Sequence, residues 1–429
     1  MGKRNVYLIS LGCPKNLVDS ERVLSIFHEE KYDIVEDIEK ASTVVINTCS
    51  FIKDARNESN KTIKDCIKWK MKRPQKRKLI VFGCLPQLQK ESLLKKYSQI
   101  DVILGVEPYK EIKSLLEIKY SKNDYENYKG RLLSGLPHSA YIKIAEGCNR
   151  KCTFCIIPKI RGPYRSRKSR DIIEEARALA KLGAKEIILV AEDTTQYGKD
   201  LKEKINLSKL IRLLAKIKGI RWIRLLYLYP DGITDELISV IANEKKACKY
   251  VDMPLQHVSD KILKKMKRGM GSKKIVKLIK KMRKKIKNIS IRTAFIIGFP
   301  GESNVEFNKV LKFIGQIKFD HIGFFVYSDE KKAVASNFEG KIKDTVKKAR
   351  LEKAYIEQRK ISLERNKKML GKEVDIIVDQ KGIGRTEWDA PEIDSLVYFN
   401  AGESIKPGDF ARVKITSSSD YSLKGELIK

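Results

Sequence analysis

The sequence of 429 residues has no run of about 18 consecutive apolar residues, which a membrane-spanning helix requires. Its start runs directly into a short strand-like stretch and contains no apolar segment of secretory length. We therefore expect a cytoplasmic protein without a membrane span. Because disulfides are rare in that compartment, the eight cysteines of the chain need another explanation.

Acidic residues are scarce relative to basic ones, since 54 Asp and Glu stand against 89 Lys and Arg, a formal charge of +35. The 42% of hydrophobic residues excludes a disordered or fibrous chain. The basic excess suggests a polyanionic partner, such as nucleic acid or a ribosome. A Lys-rich composition that only produces solvated helix faces explains the excess equally well.

Short apolar strands alternate with helices in the first region, at residues 6–10, 43–47 and 79–83. This alternation predicts a parallel, doubly wound α/β domain over residues 1–118. A cysteine follows each strand, and these are Cys13, Cys49 and Cys84. Since the carboxyl ends of parallel strands share one edge of the sheet, we expect the three cysteines to lie close together.

Two further patterns follow a polar linker at residues 119–137. Six strand–helix repeats within residues 138–366 predict an incomplete (βα)6 barrel with its chemistry on the loops after the strands. Its predicted strands are 141–145, 186–190, 222–227, 250–253, 291–297 and 321–326. Strands at 374–378, 396–399 and 410–415, separated by glycine-containing turns, predict a small antiparallel β-barrel over residues 367–429.

The motif with the strongest chemical signal is Cys148-Asn-Arg-Lys-Cys152-Thr-Phe-Cys155, just after the first barrel strand. Thiolates are soft ligands that suit iron–sulfur clusters or zinc. Three of them can hold three irons of a [4Fe–4S] cluster and leave the fourth iron open. Zinc is the alternative, although no fourth ligand lies at the usual finger spacing. The remaining alternative is that the three cysteines bind no metal and pack as small apolar side chains.

This motif, with the aromatic Phe154 before its last cysteine, resembles the signature of the radical S-adenosylmethionine (SAM) superfamily. The resemblance implies a partial barrel, in agreement with the strand pattern. It also implies that the methionine part of SAM chelates the open iron. Reductive cleavage of SAM then gives a 5′-deoxyadenosyl radical that abstracts hydrogen from the substrate.

The contexts of the earlier cysteines, SLGCPKN, NTCSF and FGCLPQ, resemble the amino-terminal domain of the methylthiotransferases within that superfamily. The resemblance implies that Cys13, Cys49 and Cys84 bind an auxiliary [4Fe–4S] cluster used in sulfur insertion. Any one of them alone would be read as a core cysteine. Cys66 and Cys248 lack such a context, and we interpret both as packing residues.

Two segments resemble the RimO-type branch of this family, which modifies an aspartate of the small-subunit ribosomal protein uS12. They are SLGCPKNLVDSE at residues 10–21 and DAPEID at 389–394. The tRNA-modifying branch usually carries Gly-Cys-Gln-Met-Asn in place of part of the first. The resemblance implies formation of 3-methylthioaspartate, with a second SAM as methyl donor. The expected partners are uS12, free or in the small ribosomal subunit, and a reductant protein, and we expect a monomer.

The terminal module is slightly acidic, with ten basic and eleven acidic residues over 367–429. A module that grips tRNA should be basic. We expect its acidic loop, with Glu387, Asp389, Glu392 and Asp394, to form a surface that complements a basic ribosomal protein. Solvated loop carboxylates are the alternative interpretation. Two rival functions are a tRNA adenosine C2-methylthiotransferase and, from another class, a cluster-bearing RNA-binding protein without catalysis.

The resemblance also implies SAM contacts from the cysteine loop and from residues that follow barrel strands, namely Phe154, Glu192, Asp193, Gln256 and Gly298. Glu192 or Asp193 would bind the SAM amine, although a loop carboxylate is often only solvated. Gln256 would bind SAM or substrate, and the adjacent His257 is either an acid–base group or a structural histidine. Glycine at 298 permits close backbone approach to the adenosyl group.

Residues 261–287 are dense in lysine around apolar residues at helical spacing. This pattern predicts helices with core-facing apolar sides and basic opposite sides. These basic sides either contact RNA or are simply exposed to solvent, and the sequence is compatible with both.

Overall fold

The computed structural model describes residues 4–117, 131–402 and 404–428. The chain forms two compact units, the first comprising Met1–Gly135, Tyr141–Arg150 and Cys155–Glu175 and the second comprising the remainder. Most of the predicted linker lies outside the described residues. Among the helices in the described ranges, none is both long and apolar enough to cross a membrane.

The first unit begins with strands and helices in alternation. They are β1 (Asn5–Ser10), α1 (Pro14–Glu29), β2 (Asp33–Ile34), β3 (Thr43–Thr48), α2 (Lys53–Met71), β4 (Lys78–Gly83), α3 (Cys84–Lys96), β5 (Val102–Ile103) and α4 (Tyr109–Leu115). The strands pair in parallel in the order β2-β1-β3-β4-β5. The predicted doubly wound sheet is therefore confirmed.

Both faces of this sheet are covered, which explains why its strands are continuous apolar runs. On one face, Val44 and Ile46 of β3 pack with side chains of α2 and α3, including Trp69. On the other face, Val45 packs with side chains of α1 and α4, including Phe27. Successive residues of β3 thus pack alternately into the two hydrophobic cores on opposite faces of the sheet. The loops that follow the strands lie at the carboxyl edge of the sheet.

The chain continues into the region predicted to be a barrel. Its elements are β6 (Ser139–Lys143), β7 (Ala145–Glu146), α5 (Ile157–Arg161), β8 (Arg165–Ser166), α6 (Ser169–Lys181), β9 (Glu186–Val190), α7 (Leu207–Ala215), β10 (Trp222–Leu225), α8 (Asp235–Asn243), β11 (Tyr250–Asp252), α9 (Asp260–Lys265), α10 (Ser272–Lys285), β12 (Ser290–Ile297), α11 (Asn304–Ile317), β13 (His321–Val326) and α12 (Asp344–Lys367). β9 pairs with β10, and β12 pairs with β11 and β13, all in parallel. The predicted strand–helix repeat is confirmed, and β9 and β13 have the predicted bounds.

The terminal module is a closed barrel in the order β14-β15-β16-β18-β17. Its strands are β14 (Glu373–Gln380), β15 (Ile383–Thr386), β16 (Leu396–Phe399), β17 (Phe410–Ser418) and β18 (Ser422–Leu427). The small barrel was predicted, but β15 and β18 were not. Both are dominated by polar, charged and glycine residues, with one apolar residue in β15 and two in β18, so neither shows an apolar run.

The acidic loop of the terminal barrel does not form the expected surface. Asp389 is 1% exposed, and its carboxylate lies 3.3 Å from His321 at the start of β13. Asp394 accepts from the Tyr250 hydroxyl at 2.7 Å and pairs with Arg292 at 3.3 Å. The prediction of an acidic docking surface is therefore wrong. Asp389 and Asp394 are instead paired with His321, Tyr250 and Arg292, which lie at or near the amino-terminal ends of strands of the larger barrel.

The other two carboxylates of that loop, Glu387 and Glu392, have different environments. Glu387 accepts from the backbone N–H of Lys249 at 3.0 Å, and its own carbonyl accepts from Arg224 at 2.8 Å. Glu392 is exposed. The loop is thus mainly a packing element of the second unit, which leaves one of the four carboxylates in solvent.

Candidate metal centres and cofactor site

The first cysteine triad lies at the carboxyl edge of the parallel sheet. Cys13 follows β1, Cys49 follows β3, and Cys84 begins α3 directly after β4; these three strands are neighbours. Gly12 has a φ of +95°, and a side chain there would begin 2.7 Å from the Cβ of Cys49. Glycine is needed because only it adopts this conformation freely and admits such a close approach.

Cys49 and Cys84 are buried and Cys13 is partly exposed, and the three thiols act on one another electrostatically. Burial raises the pKa of Cys49 and raises that of Cys84 to about 12. In Cys84 the neighbouring thiols of Cys13 and Cys49 act in the same direction, while the guanidinium of Arg161 opposes them. Three converging sulfurs with a cation beside them fit a cluster held by thiolates, since the thiolate is the form that binds metal.

A buried network of charges lies beside this triad. Arg161 donates to Asn16 Oδ1 at 2.6 Å, and the same nitrogen, Nη2, lies 3.7 Å from Cys84 Sγ. Its Nη1 contacts Asp19 at 3.1 Å and Glu146 at 2.8 Å. Because Arg161 follows the second cysteine motif in sequence, this link between the amino-terminal triad and α5 was not foreseen.

Lys143 completes the network from β6. Its ammonium lies 2.5 Å from Asp19 and 2.6 Å from Glu146, and Glu107 is 3.3 Å away. The three carboxylates are close enough together to hold a metal ion, but Lys143 already contacts all of them. Attraction to these carboxylates outweighs the effect of burial and raises the pKa of Lys143, so the ammonium stays charged. The cluster is therefore an ion-pair network.

Replacing Arg161 with methionine will destabilise the apoprotein by about 3–5 kcal/mol, because Asp19 and Glu146 lose one of two buried cations. Chemical denaturation followed by circular dichroism measures the change. The matched control is Arg170→Met, whose side chain is 74% exposed and should shift stability by under about 0.5 kcal/mol. Equal shifts for the two variants would contradict a special role for the buried guanidinium.

The second triad lies in the loop between β7 and α5. The N–H of Cys148 donates to the carbonyl of Gly162 at 3.1 Å, which fixes the start of the loop. Cys148 Sγ accepts from the N–H of Arg150, and Cys155 Sγ accepts from the N–H of Ile157, both at 3.4 Å. Hydrogen bonds to sulfur stabilise thiolate and tune cluster potential. The loop backbone therefore suits the ligand role predicted for these cysteines.

The middle cysteine of the motif has two side-chain neighbours in the second unit. Arg268 Nη1 lies 3.6 Å and Tyr229 Oη 3.8 Å from Cys152 Sγ. The Arg268 guanidinium also stacks on the Tyr229 ring at 3.8 Å. Sequence reasoning missed both residues, since one arginine in a lysine-rich segment carries no signal. Tyr229 follows β10, where a search of every strand end would have found it.

The loop is fastened to α9 through the next residue. Thr153 N–H donates to the carbonyl of Met266 at 3.2 Å, and its hydroxyl donates to that of Lys265 at 2.9 Å. Phe154 packs against a buried cluster that includes Met266 and Phe299. The aromatic residue of the motif thus anchors the loop in the barrel, and its contact with SAM stays a prediction.

The two carboxylates after β9 have different surroundings. Asp193 is 1% exposed and accepts from the N–H and hydroxyl of Thr195, at 3.0 and 2.5 Å, as a helix cap. Glu192 is half-buried. Asp193 thus has a local capping role, and the contact of either carboxylate with SAM stays a prediction.

Gln256 and His257 follow β11. Gln256 has a φ of +76° and is half-buried; its N–H donates to the carbonyl of Ala294 at 2.8 Å. His257 is fully buried; its Nδ1 accepts from Ser259 N–H at 2.9 Å, and its Nε2 lies 3.3 Å from Glu302. Since the side chain is fully buried, with Nδ1 hydrogen-bonded to the backbone and Nε2 facing Glu302, the geometry favours the structural interpretation of this histidine.

Gly298 follows β12 with a φ of +79°. Its N–H donates to Glu302 Oε2 at 3.0 Å, and a side chain there would begin 2.4 Å from Cγ of Lys347. Packing against Lys347 is therefore enough to explain glycine at this position. Its approach to the adenosyl group stays a prediction.

Three regions of the chain match known protein families. Residues 142–314 match the radical SAM superfamily, 5–105 match the uncharacterised protein family UPF0004, and 370–428 match the TRAM domain. The chain is 41% identical to ribosomal protein uS12 methylthiotransferase RimO of Citrifermentans bemidjiense, with 99% of each chain covered. It is 43% identical to that of Caldanaerobacter subterraneus, covering 99% of this chain and 100% of the relative. The chain belongs to the RimO family.

Membership of the RimO family makes the chain a radical SAM transferase, and the cofactors of this family are SAM and two [4Fe–4S] clusters. Among solved structures, the radical SAM methyltransferase TsrM from Kitasatospora setae aligns with a TM-score of 0.56 at 12% identity, covering 76% of this chain and 72% of its own. The cobalamin-dependent SAM radical enzyme OxsB aligns at 0.51 and 11%, covering 83% and 56%. At such identities these two similarities show the fold alone.

Proposed function

We propose that this chain converts an aspartate of ribosomal protein uS12 to 3-methylthioaspartate. The observation that carries the proposal is the full-length match to RimO proteins together with both cysteine triads in ligand-like settings. When bound, the clusters and SAM supply a 5′-deoxyadenosyl radical for hydrogen abstraction, and sulfur and methyl groups to replace that hydrogen. The tRNA-modifying alternative is not favoured, because the relatives at 41–43% identity over the whole chain are RimO proteins.

The ligand roles follow from the two triads. Cys13, Cys49 and Cys84 hold the auxiliary cluster, with Arg161 as the cation that offsets the charge near Cys84. The motif cysteines, Cys148, Cys152 and Cys155, hold the radical SAM cluster. Three cysteines for each cluster leave one iron without a protein thiolate, where SAM or a sulfur species can bind.

Barrel residues orient SAM at the carboxyl edge of the strands. Glu192 or Asp193, which follow β9, would accept from the SAM amine, and Asp193 also caps the turn that begins at Thr194. Gln256 and Gly298 follow β11 and β12, and they would contact SAM at the carboxyl ends of these strands. Phe154 holds the cysteine loop against the barrel through its buried neighbours.

The setting of the reaction follows from its substrate. Because ribosomal proteins are made and assembled in the cytoplasm, we place the enzyme there. A single chain carries both cysteine triads, so the proposal requires no more than a monomer. A reductant protein supplies the electron for SAM cleavage.

A side-by-side assay tests the proposed substrate. The chain, reconstituted with iron and sulfide without oxygen, is incubated with SAM, dithionite and a sulfide source, and with either uS12 or unmodified tRNA. We expect mass spectrometry to find SCH3 in place of one hydrogen on an aspartate of uS12 and no methylthioadenosine in the tRNA. The reverse result would support the tRNA-modifying alternative and overturn the proposal.

A further inference from the structure

Residues 261–287, called the basic segment below, contain no acidic residue. The segment contains 14 Lys or Arg and no Asp or Glu in 27 residues. At the average frequency of the chain, 54 acidic residues in 429, about three would be expected in this length. The absence of acidic residues is therefore as informative as the number of lysines.

A general richness in lysine does not account for this pattern. Helix α12 has eight basic residues, but they are accompanied by four acidic ones; α2 has six and three. Both of these helices thus contain carboxylates that compensate part of their charge. In contrast, α10 has eight basic residues and no acidic one, and α9 has a single acidic residue, Asp260, just before the segment. The basic segment is the exception among these three.

The structure separates the apolar and basic residues of the segment onto opposite sides. Ile262, Leu263, Met266, Ile275, Ile279 and Met282 are buried. The exposed basic residues are Lys261, Lys264, Lys265, Lys267, Lys273, Lys274, Lys277, Lys280, Lys281, Arg283, Lys284, Lys285 and Lys287. In the part of the chain that the structure describes, the ion pairs of this segment go to a single carboxylate, Asp235, from Lys281 and Lys285. Most of the positive charge is thus uncompensated.

The first part of the basic segment contacts the loop that carries the second cysteine triad. Thr153 of that loop is hydrogen-bonded to the carbonyls of Lys265 and Met266, and Arg268 approaches Cys152. From there α10 extends for 14 residues, which is about 21 Å at the helical rise. A polyanion bound along α10 and the end of α9 would therefore extend to the neighbourhood of Cys152.

We propose that the basic segment binds the phosphate backbone of RNA, so that the enzyme engages uS12 together with the RNA that surrounds it in the small ribosomal subunit. Lysines act as point charges without directional pairing, which suits phosphates of any sequence. This inference rests on the proposed function, because RNA accompanies the substrate only if the substrate is a ribosomal protein.

The test compares two variants of equal charge change. In the first, the α10 residues Lys273, Lys277, Lys280 and Lys284 are replaced with glutamate; in the matched control, Lys348, Lys353, Lys360 and Lys367 of α12 are replaced in the same way. All eight side chains are exposed. Binding of the reconstituted enzyme to small subunits lacking the modification, and to their deproteinised RNA, is measured across a range of salt concentrations. SAM cleavage without substrate checks that each variant is intact.

We expect the α10 variant to bind subunits and RNA at least about tenfold more weakly than wild type, with a smaller slope of log affinity against log salt. It should modify free uS12 as well as wild type does, and the α12 variant should lose less RNA affinity. Equal loss in both variants, or none in the α10 variant, would overturn the inference. So would wild-type binding to phosphatidylglycerol vesicles but not to RNA. Failure to modify any uS12 would instead overturn the proposed function, while the RNA measurement would still decide this inference.

Discussion

Replacing Cys148, Cys152 and Cys155 together with alanine will abolish SAM cleavage and remove about four of about eight irons per reconstituted chain. The physical reason is that cluster irons are held by thiolates, and alanine supplies no ligand. Iron analysis and the yield of 5′-deoxyadenosine under dithionite measure the two effects. The control is Cys66→Ala with Cys248→Ala, because both cysteines are buried among core residues and burial raises the pKa of each thiol to about 12.

The reciprocal variant separates the two clusters. Alanine at Cys13, Cys49 and Cys84 will also remove about four irons, but SAM cleavage will persist while methylthiolation of uS12 is lost. This outcome follows if the sheet-edge triad serves sulfur insertion and the loop triad serves SAM cleavage. Unchanged iron content in this variant would show that the sheet-edge cysteines are packing residues.

The second large effect concerns a fully buried charge network in the second unit. Glu186 pairs with Arg224 at 2.7 Å and with Arg385 of the terminal barrel at 2.9 Å. Removing one partner from a buried pair costs about 3–5 kcal/mol, so Glu186→Gln will destabilise the second unit by that order. Denaturation followed by fluorescence of Trp222 and Trp388 measures it. The exposed pair Glu373–Arg412 is the control, and Glu373→Gln should cost under about 1 kcal/mol.

The same network predicts a dependence on acid. Burial opposes ionisation of Glu186, but Arg385 and Arg224 outweigh it and lower its pKa to about 2. A carboxylate with a lowered pKa contributes stability above its unfolded value, near 4.5, and loses it as pH falls towards 2. The stability difference between wild type and Glu186→Gln should therefore narrow over that range. A difference that is constant from pH 6 to 3 would contradict the assignment.

Asp389 should contribute to the same loss in acid. Burial opposes its ionisation, while His321 and Arg365 help to lower its pKa to about 2. This carboxylate belongs to the loop that was expected to face a basic ribosomal protein. Its charge was visible in the sequence, but its burial was not, because its partners lie far away along the chain. The local composition of the loop thus showed that it is acidic, but it did not show that Asp389 is buried against His321.

The parts of the fold that were predicted are those with a strong local pattern. Strands β9 and β13 have their predicted bounds because most of their residues are apolar, as in residues 187–190 and 324–326, and because each lies between helices. β15 and β18 were missed because their pairing in a closed barrel, and not their own residues, makes them strands. The cysteine positions were informative because their spacing and their place after strands are both local features.

The side chains around the cysteines were not predictable in this way. Arg161 and Arg268 each approach a cysteine sulfur, but each is one of many basic residues in the chain. What distinguishes them is long-range packing, which brings α5 to the sheet edge and the end of α9 to the cysteine loop. A sequence read alone identifies the ligands better than it identifies their surroundings.

The most direct test of the central claim is the intact mass of uS12 from cells with and without this protein. The account predicts that uS12 carries SCH3 in place of one hydrogen on an aspartate only when the protein is present. It also predicts that the modification is restored by the wild-type chain and not by the variant lacking Cys13, Cys49 and Cys84. An identical uS12 mass in both cells, with loss of a methylthio group from tRNA instead, would contradict it.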